Sequence, residues 1–421
     1  MSNSCQAVFV SLLALVSFGH SQFFKEKYEH SPTTLSADGL PALLSNLKIS
    51  DFKEILKPIL VERVPGTKSH AKVKNYITKS MQELGWTVEH DAFIDNTPFG
   101  PFNFTNIVAK LNPNAERYLT IAAHYDSKWF SEGSFIGATD SAVPCAMMIH
   151  MAKSLQDQLK ALDSNKLSLM FVFFDGEEAL YQWTPTDSLY GARHLANVWH
   201  SSPFPTDSKS TTHLHRIDLL VLLDLIGAAN PSFYSYFPNT HKHYQQLVGI
   251  EENLTKLNLI HHKNKRVRYF KAKSTSARIE DDHLPFLEKD VDIVHLITQP
   301  FPTVWHTLDD NESIIDYLSV IDIMKTLEPD SNYGRGPCSR KTKCRSSGII
   351  SISTSEIKIE LDELNKKQGN LCSQLHDESV KFHGLDPGEE LKKTFLMMKV
   401  YQTRLENVKK EMFSLQDRAK N

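Results

Sequence analysis

An α/β fold, in which helices cover a central β-sheet, is predicted for this chain of 421 residues. Its first basis is two continuous apolar segments, 167–174 and 219–225, which are typical of strands buried on both faces of a sheet. A second is the alternation of such segments with stretches whose apolar residues recur at helical spacing. A third is that acidic or histidine-containing segments follow several strand-like runs, where open α/β sheets place their active sites.

The remaining elements follow from the same patterns, taken in order along the chain. One or two short helices are predicted within 40–60, and an amphipathic helix over 69–84 ends at Gly85. The next predictions are strands at 86–90, 106–111 and 118–124, a long helix at 142–159, the strand at 167–174, a helix at 191–198, the strand at 219–225, a short strand at 293–296 and a closing helix at 313–327.

The N-terminal segment predicts entry into the secretory pathway. An apolar run over 7–18 is short for a bilayer span and ends in small residues, so residues 1–21 are interpreted as a cleaved signal peptide. The absence of Lys and Arg before this run leaves a short membrane anchor as the alternative, with the protein kept in the Golgi rather than secreted. Asn-x-Ser/Thr triplets at Asn103, Asn253 and Asn311 fit a glycoprotein on this route.

The C-terminal part differs in composition. From Ser331 onward there are 17 Lys and Arg against 12 Asp and Glu, whereas the whole chain has a net charge of −3, which favours no nucleic-acid partner. Residues 331–348 are predicted to be a basic linker and 349–421 a helical tail. Apolar residues recur there every seven positions, which predicts a coiled coil and self-association: Leu391, Met398, Leu405 and Met412, with Tyr401, Val408 and Leu415. A single amphipathic helix folded onto the rest of the protein is the alternative.

The five cysteines predict no disulfide framework or zinc ribbon, since no Cys-x-x-Cys pair occurs. Cys5 lies in the predicted signal peptide, and Cys145 is expected to be a buried thiol in a helix. Cys338 and Cys344 could close a small loop in the tail, and Cys372 has no local partner.

Three separated segments predict a catalytic zinc site. Asp140 lies in Gly-Ala-Thr-Asp-Ser-Ala, Glu177 and Glu178 in Phe-Phe-Asp-Gly-Glu-Glu, and His306 in Trp-His-Thr-Leu-Asp-Asp. Catalytic zinc takes three ligands of the His, Asp or Glu type and keeps a position open, which Asp140, Glu178 and His306 would satisfy. Glu177 is then placed to act as a general acid and base beside the metal.

Structural roles are the alternative for the same carboxylates. Asp140 could cap a helix, and Glu177 and Glu178 could be acids in the first turn of one. Asp224 is harder to explain in that way, because it lies inside an apolar run, where a carboxylate needs a partner or a metal.

Longer runs resemble the glutaminyl-peptide cyclotransferases (glutaminyl cyclases), which have a zinc aminopeptidase-like fold of the M28 type. The matching runs include His-Tyr-Asp-Ser-Lys at 124–128, Gly-Ala-Thr-Asp-Ser-Ala-Val-Pro-Cys at 137–145, Phe-Phe-Asp-Gly-Glu-Glu-Ala at 173–179 and Val-Trp-His-Thr-Leu-Asp-Asp at 304–310. The resemblance implies a catalytic domain over 35–328 with a mixed central sheet flanked by helices.

The resemblance also implies roles for individual residues. One zinc per chain would be held by Asp140, Glu178 and His306, and Glu177 would carry a proton from the substrate's α-amine to departing ammonia. The reaction would convert the N-terminal Gln of peptides or proteins to pyroglutamate, an acyl transfer. The other residues would form an acidic hydrogen-bonded network (Asp224 and Asp281), wall the substrate pocket (Trp183, Phe301 and Trp305) and lie near the reacting amide (His295).

The chain departs from this family pattern at three places. Glu280 stands where glutaminyl cyclases commonly have Gln, and Ala123 where many secreted members have a Cys able to pair with the residue at Cys145. The tail from Ser331 is foreign to the family, whether through a fusion or an error in gene prediction. Two alternatives stay open: a two-zinc aminopeptidase of the M28 type, with His124 and Asp224 as further ligands, and a protein whose tail is functional and whose enzyme domain is inert.

Overall fold

The computed structural model describes Leu44 and residues 47–161, 164–261 and 268–327. The predicted signal peptide, linker and coiled-coil tail lie outside these residues. Among the described residues, no helix combines the length and the apolar character needed to cross a membrane.

A mixed six-stranded sheet forms the centre of the described chain, as predicted. Its strands are β1 (Thr87–Thr97), β2 (Gly100–Lys110), β3 (Arg117–His124), β4 (Leu167–Phe174), β5 (Ile217–Asp224) and β8 (Ile293–Ile297), while β6 (Phe233–Ser235) and β7 (Phe270–Ser274) form a separate two-stranded parallel sheet. The strand order of the central sheet is β1-β2-β4-β3-β5-β8. Strands β3, β4, β5 and β8 are mutually parallel, whereas β2 pairs antiparallel with β1 and β4.

Helices cover both faces of the central sheet. They are α1 (Ile49–Leu56), α2 (Lys68–Glu83), α3 (Val143–Ser154), α4 (Gln156–Ala161), α5 (Tyr190–Ser201), α6 (His241–Lys256), α7 (Leu284–Leu287) and α8 (Tyr317–Leu327). Alternate residues of β4 enter different cores: Phe171 and Phe173 pack with α1, α2, α3, α6 and α8, whereas Met170 and Val172 pack with α5 and α7. The apolar character of β4, in which Ser168 is the one polar residue, follows from the burial of both of its faces.

The structure also differs from the predicted elements in places. The helix predicted over 142–159 is two helices, α3 and α4, since Leu155 leaves the helical conformation. Strand β1 extends well beyond the predicted 86–90, because it forms a long hairpin with β2 whose residues are only partly buried. Helix α6 was not predicted, and its buried residues Tyr244, Val248 and Leu254 form only a sparse apolar stripe.

Candidate active site

The carboxyl ends of the parallel strands bring the candidate residues to one edge of the sheet. Strand β3 ends at His124, which pairs in register with Phe174, the last residue of β4. Strand β5 ends at Asp224, paired with Ile297 of β8. The loops that follow β3 and β4 carry the predicted acids, so these side chains meet at one edge although they are remote in sequence.

Asp140, Glu178 and His306 converge on one point. Their ligand atoms lie within 4.8 Å of one another. His306 Nε2 is 3.2 Å from Glu178 Oε1 and 3.5 Å from Asp140 Oδ2. Glu178 Oε1 is buried and accepts no hydrogen bond from the residues that the structure describes, so it is available to a ligand. Two carboxylates and one imidazole facing each other form a donor set that suits zinc.

The electrostatics of this point favour positive charge. Burial lowers the pKa of His306, but interactions with Asp140 and Glu178 outweigh burial and raise it to about 9. His306 also has a positive φ of 52°, a conformation that is uncommon for residues other than glycine and that often occurs at functional sites. The residues therefore fit a metal cation, whose positive charge would replace that of the protonated His306 imidazole.

Asp140 is positioned by contacts from two remote segments. It lies in a tight turn before α3, and the N-cap of that helix is Ala142, so the interpretation of Asp140 as a helix cap is wrong. The fully buried Arg63 donates to the Asp140 carbonyl oxygen at 3.4 Å. The Asp310 carboxylate accepts from the Thr139 backbone N–H at 2.9 Å. These contacts fix the turn and hence the direction of the Asp140 side chain.

Glu177 and Glu178 lie in the loop after β4. Because the next helix, α5, begins only at Tyr190, the interpretation of these acids as first-turn residues of a helix is wrong. Asp126 accepts from the backbone N–H groups of Glu177 and Glu178, at 3.1 and 3.2 Å. Lys128 Nζ donates to Glu178 Oε2 at 3.1 Å. The loop is thus held by the segment that follows β3.

Glu177 is a buried carboxyl with a raised proton affinity. Burial raises its pKa well above the ordinary value, and the negative charges of Glu178, Asp281 and Asp282 act in the same direction, against an opposing effect of His124. A carboxyl group whose pKa is raised toward neutrality can both accept and return a proton during a reaction.

Asp224 and Asp281 lie behind this loop with separate hydrogen-bonding partners. Asp224 Oδ1 accepts from the Ser141 hydroxyl and from the Leu225 backbone N–H. Asp281 Oδ2 is 2.6 Å from His295 Nε2. The two acids interact through charge, since burial and then Asp281 raise the pKa of Asp224 to about 6. Each acid is thus hydrogen-bonded and the charge of Asp281 acts on Asp224, while their joint role as a network beside the zinc stays a prediction.

Aromatic side chains lie on the solvent side of the site. The Trp305 ring stacks on His306 at 4.1 Å and meets Phe301 edge-on at 4.9 Å, and its side chain is partly open to solvent. Trp183 Nε1 donates to Glu280 Oε2 at 2.8 Å. The departure at Glu280 thus places a carboxylate against one of the predicted pocket walls.

Two more groups of residues have metal-ligand spacing. His124 and Asp224 lie close to Asp140, with ligand atoms of all three within 4.8 Å, so Asp140 could be shared by two ions. His124 Nε2 is 3.0 Å from Asp140 Oδ1 and 3.5 Å from Asp224 Oδ1. The other group is Asp281, His283 and His295, all of them buried.

Sequence reasoning missed the residues that position the site. Asp126 and Lys128 lie in the run His-Tyr-Asp-Ser-Lys at 124–128, so polar residues directly after a strand end could have indicated their role in the site. Arg63 and Asp310 carried no comparable signal, because the groups that they contact in the turn of Asp140 lie 74 to 171 residues away in sequence. Cys145 is a free, buried thiol, as predicted, and its Sγ lies 3.1 Å from the His124 carbonyl oxygen.

The comparisons with known proteins agree with this geometry. The model of peptidase family M28 matches residues 106–328, which is more than half of the chain, so the chain belongs to that family. Glutaminyl-peptide cyclotransferase of Drosophila melanogaster is 48% identical over 69% of this chain and 82% of its own length. The Bos taurus protein of the same name is 43% identical over 74% of this chain and 89% of its own length.

A solved structure gives the same result. Glutaminyl cyclase of Macrostomum lignano superposes with a TM-score of 0.67 at 38% identity, covering 71% of this chain and 93% of that one. Within family M28, the chain is therefore a member of the glutaminyl-peptide cyclotransferases.

Proposed function

We propose that this protein is a zinc-dependent glutaminyl-peptide cyclotransferase, an acyltransferase that converts the N-terminal Gln of peptides and proteins to pyroglutamate with release of ammonia. The observation that carries the proposal is the position of Glu177, a buried carboxyl with a raised pKa, directly beside Glu178 in the group Asp140, Glu178 and His306. The names of the Drosophila melanogaster and Bos taurus relatives support the same activity.

Asp140, Glu178 and His306 would hold one zinc ion, which when bound polarises the γ-carbonyl of the substrate Gln as a Lewis acid. The substrate's α-amine attacks the γ-carboxamide carbon, so a C–N bond forms within the substrate while the bond to the amide nitrogen breaks. Glu177 accepts the proton that the amine loses and returns it to the nitrogen that leaves as ammonia. No water is consumed, and holding the two ends of one side chain together supplies much of the rate.

The neighbouring residues keep Glu177 and the substrate in place. Asp126 fixes the backbone of the Glu177 loop through two hydrogen bonds. Asp281, paired with His295, adds negative charge that keeps the proton affinity of Glu177 high. Trp183, Phe301 and Trp305 would enclose the substrate and exclude water that could otherwise hydrolyse the amide.

A two-zinc aminopeptidase is the second candidate function. It is favoured by the placement of His124 and Asp224 around Asp140. Against it, Asp224 Oδ1, the oxygen that lies 3.5 Å from His124 Nε2, already accepts hydrogen bonds from Ser141 and from the Leu225 backbone.

The test is mass spectrometry of a peptide that begins with Gln, after incubation with the purified protein. Loss of ammonia from the peptide, with about one zinc per chain by elemental analysis, is the expected result. Release of Leu from Leu-amide together with two zinc ions per chain would support the aminopeptidase instead and overturn the proposal. Absence of both activities in protein that carries zinc would point to an inert enzyme domain and a functional tail, and would also overturn the proposal.

The ends of the chain give two further proposals. Residues 1–21 would direct the protein into the secretory pathway, which N-terminal sequencing of the mature protein tests. Residues 349–421 would drive self-association. Gel filtration of the full chain and of a chain ending at residue 330 tests this self-association. The same number of chains per particle in both proteins would contradict it.

A further inference from the structure

A groove of about 530 Å³ lies beside the candidate active site and is not used in the proposed reaction. One wall is the end of β7 with the segment that follows it, and the other is the segment after β8. The groove is lined by Tyr234, Lys273, Ser274, Thr275, Ala277, Arg278, Ile279, Gln299, Pro300 and Phe301.

The groove adjoins the residues that would enclose the N-terminal Gln. Phe301 lines the groove and meets Trp305 at 4.9 Å, and Trp305 stacks on His306 at 4.1 Å. On the opposite wall, Ile279 directly precedes Glu280, which holds Trp183. An extended peptide advances about 3.3 Å per residue, so these two ring-to-ring steps correspond to about three residues.

The charge changes sign between the pocket and the groove. Around the candidate metal point the nearby side chains are mostly acidic, including Glu177, Glu178 and Asp281. In the groove the charged side chains are Lys273 and Arg278, both exposed. Neither forms an ion pair with any residue in the described part of the chain, so both cations are available to a ligand.

We propose that this groove binds the residues that follow the N-terminal Gln of the substrate, and that Lys273 and Arg278 favour acidic side chains at about the third to fifth positions. This proposal rests on the proposed function, because it assumes that the Gln occupies the adjoining pocket. The acidic pocket attracts the peptide's N-terminal ammonium, while the basic groove attracts carboxylates further along. A peptide with both features matches the charges of the pocket and the groove.

The test compares two peptides, Gln-Gly-Gly-Glu-Glu-Gly-amide and Gln-Gly-Gly-Lys-Lys-Gly-amide, by kcat/KM at low salt. Exposed ion pairs contribute modestly, so we expect the acidic peptide to be favoured about three- to tenfold, with the preference falling as salt is added. The double variant Lys273→Glu/Arg278→Glu should reverse the preference. A matched variant with the same change in charge, Lys57→Glu/Lys72→Glu, alters exposed lysines outside the groove and should keep it.

Turnover of Gln-amide, which is too short to enter the groove, separates this proposal from the proposed function. Equal kcat/KM for the two peptides, with Gln-amide turned over, overturns the groove proposal alone, and this comparison needs no variant to fold. If Gln-amide is not turned over, the proposed function fails. In that case, fluorescence anisotropy of the labelled peptides measures their affinity for the protein directly. Equal affinities of the acidic and basic peptides would overturn the groove proposal.

Discussion

Replacing Glu177 by Gln tests the chemistry that the site geometry implies. The amide has nearly the shape of the carboxyl group but cannot accept a proton at neutral pH. The Glu177 backbone N–H that donates to Asp126 is retained, and Glu178 with its Lys128 contact is untouched. The loop and the proposed ligand set should therefore keep their positions while proton transfer is lost.

The expected size follows from the environment of Glu177. Its pKa is raised well above the ordinary value by burial and by three neighbouring acids, so the ionised carboxylate is a stronger base than that of an ordinary Glu. General acid–base catalysis contributes about 10²- to 10⁴-fold, or about 3–5 kcal/mol of transition-state free energy. We expect kcat for a Gln-peptide to fall by that factor, while KM changes by less than about threefold because binding is retained.

The assay is ammonia release under saturating peptide, with zinc content measured on the same samples. Glu280→Gln is the matched control, since its exposed carboxylate only accepts a hydrogen bond from Trp183, which an amide oxygen can also accept. Its kcat should stay within a few fold of the unchanged protein. A Glu177→Gln variant that retains more than about a tenth of the activity at equal zinc content would refute the assignment.

Three further predictions concern stability and reactivity. Gly191→Ala would place a Cβ 2.1 Å from Asn106 Oδ1 and 2.5 Å from the Asp175 carbonyl oxygen. We therefore expect its free energy of unfolding, measured by denaturant titration, to fall by about 1–3 kcal/mol. Gly249→Ala is the control and should not destabilise the protein, because no described atom lies within 4 Å of the added Cβ. Burial lowers the pKa of His150 to about 4 from 6.5, so the unfolded chain binds the extra proton and stability falls as the pH drops from about 6.5 to 4. The loss of unfolding free energy over this pH range is about 3 kcal/mol. In the His150→Leu variant, unfolding curves measured across the same range should no longer show this loss. Burial also raises the pKa of the Cys145 thiol to about 12, so peptide mapping should find it unalkylated by iodoacetamide at pH 8 in the native protein and alkylated after denaturation.

The strands of the central sheet were the most predictable part of the fold. The segment 167–174 was predicted to the residue, because a strand buried on both faces is largely apolar and therefore leaves a clear local pattern. Strand β1 and helix α6 left weaker patterns, since each is only partly buried and many of its positions tolerate polar residues. Strands β6 and β7 form a short parallel pair from segments far apart in sequence, which no local pattern could indicate.

Sequence alone determined which residue types would come together at the candidate site. Asp140, Glu177, Glu178 and His306 each follow an apolar segment or lie in a distinctive run, and parallel strands align their carboxyl ends at one edge. That inference needs only chain order and the periodicity of buried strands.

Only the tertiary structure decided how these groups are held and charged. The contacts of Arg63 and Asp310 with the turn that carries Asp140 join remote segments through backbone groups, which every residue possesses and no sequence pattern marks. The raised pKa of Glu177 and the exposed cations of the groove depend likewise on burial and on distances between charges. Both quantities arise when the chain packs, because desolvation and Coulomb energy are set by the three-dimensional surroundings of a group rather than by its neighbours in sequence.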